Sequence, residues 1–135
     1  MIHVMQKLIK KRKGQSLVET ALVLPVILLL LTAIIDFGLL FNHYLIVSNA
    51  SREGARGASV GKTNEQISNT VKNVASILDE TKLSITITPD RLTDRRAGTT
   101  VKVAVKYQHS MITPIIAAII PGSFDLETDT TMRCE

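Results

Sequence analysis

The chain has 135 residues, with 16 Lys plus Arg against 12 Asp plus Glu, a formal net charge of +4. Five of those cations (Lys7, Lys10, Lys11, Arg12 and Lys13) precede Gly14 and no acid does, so the remainder holds 11 cations against 12 acids, a net charge of −1. The basic character belongs to one end; with only 4% aromatic residues and no Trp, a basic, base-stacking nucleic-acid surface is excluded for the body of the chain.

In chain order, Lys10, Lys11, Arg12 and Lys13 lead through Gly14 into a long apolar run from Leu17, broken by one acid, Glu19. About 18 or more apolar residues cross a hydrocarbon layer roughly 30 Å thick as a helix, and flanking cations stay in the cytoplasm. The four cations are therefore predicted to anchor a cytoplasmic N-terminus, with the rest of the chain outside. Pro25, inside the run, removes one helical hydrogen bond and is the predicted kink. Past Asp36 the pattern turns amphipathic, and Gly57 and Gly61 are good places for the helix to stop.

Thr63 and Gln66 have capping-box spacing, and Ile67, Val71, Val74, Ile77 and Leu78 recur at helical intervals, which predicts a second helix over Asn64–Glu80. Three alternating segments then read as strands: Leu83, Ile85 and Ile87; Val101, Val103, Val105 and Tyr107; and Phe124, Leu126, Thr128, Thr130 and Met132. The predicted fold class is α+β, a long N-terminal transmembrane helix plus a second, amphipathic helix packed on a small three-stranded antiparallel sheet. The predicted divisions are a basic leader 1–14, a transmembrane and extended helix 15–60, and an extracytoplasmic α+β domain 61–135. Met111–Ile120 is apolar but too short to span a bilayer, and reads as a short helix or turn tucked against the core, with an exposed contact patch as the alternative. Pro89–Gly98 reads as a solvated loop.

Motifs suggestive of chemistry are weak. Gly57, Gly61, Lys62 and Thr63 resemble the end of a phosphate-binding loop, but the first glycine is one position too close and no strand precedes it. His3, His43 and His109 have no ligand-like spacing, so no metal site is expected. Asp125, Glu127 and Asp129 share a strand face that reads as solvated. Asn49-Ala50-Ser51 fits a glycosylation sequon within a predicted helix. Cys134, the single cysteine, reads as a free thiol. No catalytic residue, cofactor or small-molecule substrate is expected.

A carboxylate inside an apolar helix costs about 2.5 kcal/mol or more at the bilayer centre, and somewhat less near the interface. A cleaved secretory signal would have a shorter apolar core and a small-residue cleavage site after it. A plain signal anchor leaves Glu19 unexplained. A prepilin-type leader cut between Gly14 and Gln15 explains it: Glu19 becomes the fifth mature residue, and the new ammonium of one subunit neutralises the carboxylate of the next.

The run Gly14-Gln15-Ser16-Leu17-Val18-Glu19-Thr20-Ala21-Leu22-Val23-Leu24-Pro25, then Ile35-Asp36-Phe37-Gly38, then Ser51-Arg52-Glu53-Gly54-Ala55-Arg56, closely resembles TadE-like proteins. These are minor pilins or pseudopilins of the bacterial tight-adherence, Flp type IVb, pilus. The resemblance implies a structural assembly role in that pilus or a related secretion machinery, with the lipid bilayer, other pilin or pseudopilin subunits and the pilus assembly platform as partners. It also implies maturation by a prepilin peptidase and residence in the cytoplasmic membrane. By matching positions, Gly14 and Gln15 flank the cut, Glu19 is the recognition and assembly carboxylate, and Asp36, Gly38, Arg52, Glu53, Gly54 and Arg56 form the rest of the family-like motif. Pilins of this system often carry an aromatic residue after the glutamate, where this chain has Thr20. The alternative is an uncleaved, single-pass membrane-anchored binding or sensor module.

Overall fold

The computed structural model describes the backbone from Ile2 and side chains from Gly14 to Glu135. Helix α1 is Ile2–Ser59, α2 is Asn64–Val74 and α3 is Pro114–Ile119; strands β1, β2 and β3 are Leu83–Thr88, Thr100–Ser110 and Ser123–Arg133. Single 3₁₀ turns occupy Glu80–Lys82 and Leu92–Asp94. The fold is α+β, as the alternation and helical spacings predict. The side chains of Lys10, Lys11, Arg12 and Lys13, and of His3, lie outside the described residues.

Within α1, Gly14–Ser59 is long and apolar enough to cross a membrane, and almost none of its most apolar stretch is buried against the rest of the chain. The helix runs on through Pro25. Two hydroxyls in this stretch bond back to the helix, Thr20 Oγ1 to Ser16 O and Thr32 Oγ1 to Leu29 O, each at 2.9 Å. Neither polar group is left bare in an apolar environment.

The sheet has the order β1-β2-β3 and both pairs are antiparallel. On its dry face Val101, Val103 and Val105 are fully buried, with Tyr107 close to it. On the wet face Lys102 bonds Asp129 at 3.0 Å and Lys106 bonds Asp125 at 2.9 Å. These are diagonal pairs, since Asp129 lies across from Ala104 and Asp125 from Gln108. Both are exposed and contribute tenths of a kcal/mol, enough to favour one register.

The end of α1 covers most of the dry face. Val47, Ala50, Ser51, Ala55 and Ala58 are fully buried, and this part of α1 packs on β2, β3 and α2, whereas α2 meets the sheet mainly along β1. The amphipathic helix predicted to pack on the sheet does so at its β1 flank, and most of the cover is the extension of the apolar helix. The physical reason is side-chain size: the small residues of α1 let its backbone approach β2 closely. Ser51 Oγ donates to Val103 O at 2.9 Å and lies 2.9 Å from Thr130 Oγ1, across the register pair Val103–Thr130. The sequon hydroxyl is thus committed to the core.

Helix α2 starts at the predicted capping box, with Gln66 N donating to Thr63 Oγ1 at 3.3 Å and Thr63 N to Gln66 Oε1 at 3.1 Å. It ends at Val74, earlier than the periodicity predicts, because the chain turns while still burying Ala75 and Leu78, and Asp79 then caps the 3₁₀ turn through Thr81 N at 3.0 Å. Gly61 takes φ +80° after α1, a left-handed conformation suited to glycine. The phosphate-loop-like residues thus end one helix and cap the next.

The loop expected to be solvated is pinned by a buried cation. Arg95 Nε donates to Pro89 O at 3.0 Å, its guanidinium also bonds Lys62 O at 3.3 Å, Asp90 O at 3.2 Å and Asn64 Oδ1, and Asn64 Nδ2 donates to Asp90 Oδ1 at 2.8 Å. The C-terminal end closes on the same region, with Gly98 N donating to Cys134 O at 2.9 Å and Glu135 N to Ser59 O at 3.1 Å. Cys134 is a free, buried thiol.

Candidate functional site

Two zones of α1 hold the sequence-predicted residues. In the first, Gly14, Gln15 and Glu19 lie on a fully exposed stretch of helix, amid Leu17, Val18, Leu22 and Val23, each at least half exposed. Gln15 and Glu19 are four apart, so they share a helix face. Among the described residues, no side chain bonds or pairs with Glu19. Among the described residues a Cβ on Gly14 would meet nothing within 4 Å, so their packing does not demand glycine there.

The second zone begins where the apolar run ends. Leu17–Ile35 rises roughly 28 Å as a helix, close to the thickness of a bilayer core. Asp36, the next residue, is only 3% exposed, and its Oδ2 accepts from Thr113 N at 3.3 Å. Gly38 faces open space, whereas Gly54 is enclosed: a Cβ there would lie 2.7 Å from Val71 Cγ2 and 3.1 Å from Val103 Cγ1. Arg52, Glu53 and Arg56 point outward, without ion pairs among the described residues. The family-like motif is thus split between core (Asp36, Gly54) and surface (Gly38, Arg52, Glu53, Arg56).

Two of the histidines expected to be scattered come together. His43 Nδ1 and His109 Nδ1 are 2.9 Å apart, the rings meet edge to face at 4.9 Å, and His43 also packs edge-on against Tyr107 at 5.5 Å. His109 continues the buried alternation of β2 one step beyond Tyr107, a signal the sequence carried. Among the described residues, no group of three metal-ligating side chains forms around the pair. Desolvation holds both imidazoles below the usual histidine range; for His109, His43 and Lys82 add to the lowering while Asp36 opposes it.

A base with a lowered folded-state pKa stabilises the fold fully above its unfolded value, about 6.5, and loses that contribution as pH falls toward the folded value. The full-length protein in detergent is expected to unfold at a lower temperature at pH 5.5 than at pH 7.5. Thermal melts should show a shallower pH slope in His109→Phe. Equal slopes in the two proteins would remove the pair from the pH response.

The family model described as TadE-like protein matches residues 14–56. The chain carries a TadE-like segment. The match runs from the glycine before the apolar run to the turns that roof the sheet, and stops before α2. No curated protein and no solved structure matches the chain. A TadE-like segment and a helix able to cross a membrane together fit a membrane-anchored component of the Tad pilus.

Proposed function

We propose that the protein is a pseudopilin of the tight-adherence pilus. Its leader is cut by a prepilin peptidase between Gly14 and Gln15, its helix is held in the bacterial cytoplasmic membrane with the N-terminus inside, and its α+β domain stands outside. Packing with other pilin subunits and with the assembly platform runs along the TadE-like segment. The observation that carries this reading is Glu19, a carboxylate without a partner among the described residues on the exposed apolar face of that segment. In hydrocarbon such a group needs a counter-charge, and the ammonium of a neighbouring subunit cut before Gln15 supplies one. Gly38, which nothing among the described residues crowds, leaves room for a second helix to approach.

Glu19→Ala tests the reading. Membrane insertion should be unchanged or improved, because a costly group is removed from the apolar run. Co-purification with partner pilins from membranes should fall about tenfold, the equivalent of roughly 1.4 kcal/mol. Undiminished co-purification would show that the carboxylate has no part in assembly.

A further inference from the structure

The segment Met111–Phe124 gathers five exposed large hydrophobic residues of the outer domain. It carries no charged residue. It is not tucked against the core: Ile112, Ile115, Ile119, Ile120 and Phe124 are all exposed, Ile112 at 67% and Ile119 at 65%. Its height is set by the bond from Thr113 N to Asp36, which ties the start of α3 to the first residue beyond Ile35. On α1 at that same level, Phe37, Phe41 and Tyr44 form an exposed ladder of tilted rings, with successive centroids 6.2 and 6.4 Å apart. Aromatic side chains and short amphipathic segments at the end of a spanning helix are features of the headgroup boundary.

We propose that Met111–Phe124 lies in the bilayer surface at the C-terminal end of the spanning stretch, as a second membrane contact beside α1. The occupant of this apolar face is lipid, because the face is tethered to Asp36, at the level where the exposed apolar stretch Leu17–Ile35 ends. The outer domain is then held down at two points, α1 and α3, and its sheet keeps a fixed tilt to the membrane. The inference rests on the reading that Leu17–Ile35 crosses the bilayer.

The chain has no Trp, so one introduced indole reports its own position. Full-length Leu28→Trp, Ile115→Trp and Val60→Trp, each in vesicles of lipid brominated either deep or shallow on the acyl chain, form the test. Leu28 marks the span, and Val60, just past the end of α1, lies roughly 36 Å from Asp36. Leu28→Trp should be quenched most by deep bromines. Ile115→Trp should be quenched by shallow bromines at least about twofold more than Val60→Trp, and shielded from acrylamide in the water. Ile115→Trp as open to acrylamide as Val60→Trp, with Leu28→Trp still quenched, overturns the inference alone. Ile115→Trp shielded from acrylamide and from both brominated lipids means that a second copy covers the face, and also overturns it. Absence of quenching at Leu28→Trp removes the span and the inference together.

Discussion

Gly54→Val is expected to destabilise the outer domain strongly while leaving α1 in the membrane. The first added carbon already falls 2.7 Å from Val71 Cγ2 and 3.1 Å from Val103 Cγ1, and both valines are fully buried, one on α2 and one on the central strand. Neither can retreat without moving its own element, so the three-way junction of α1, α2 and β2 must open. Overpacking by a few methylenes costs about 1–3 kcal/mol, and valine adds two carbons beyond the first at the tightest point of the core. Removing glycine from a helix interior returns less than about 1 kcal/mol, so packing decides the sign. A loss near 3 kcal/mol is a large part of the roughly 5–15 kcal/mol that holds a domain, and lowers the melting temperature by roughly 10 °C or more. Hydrogen exchange of the β2 amides in detergent should rise in parallel. A variant that melts within a few degrees of the native protein would mean that α1 does not roof the sheet at this depth.

The same glycine shows where the sequence was readable and where it was not. Alternation placed all three strands, and the Thr63–Gln66 spacing placed the start of α2, because each pattern reports a local preference that the tertiary structure keeps. The role of residues 47–59 was hidden: a face of Ala, Ser and Gly has little hydrophobic contrast, and a glycine near charges reads as a helix end. Close approach of backbones is a property of the pair, so one element alone does not reveal it. Arg95 was hidden for a related reason. Its acceptors, Pro89 O, Lys62 O and Asp90 O, are backbone carbonyls that no side-chain pattern announces. Met111–Ile120 was legible as apolar, but apolar character says only that a segment is covered, and here the chain itself leaves it bare. At the candidate site, Glu19 stood out because its cost was local, whereas the burial of Asp36 depends on Thr113, far along the chain.

Gly14→Leu is expected to block maturation completely while improving the helix. Glycine in a helix interior costs about 1 kcal/mol relative to alanine, and among the described residues no neighbour lies within 4 Å of its missing Cβ. Leucine at this position should therefore strengthen α1 and insert as well as the native chain. If glycine is instead retained for a peptidase that must close over the backbone between residues 14 and 15, the variant accumulates as precursor. Fold and processing then move in opposite directions, which separates a cleavage defect from misfolding. Immunoblots of membranes should show one band at the precursor size, with the native protein at the shorter size beside it.

The intact mass of the protein isolated from the membranes of its own cells is the most direct check on the proposed role. A species beginning at Gln15, with Met1–Gly14 removed, supplies the ammonium that Glu19 needs. A species still carrying Met1–Gly14 in cells that assemble the pilus normally would leave Glu19 without that counter-charge and reduce the protein to an uncleaved, membrane-tethered domain.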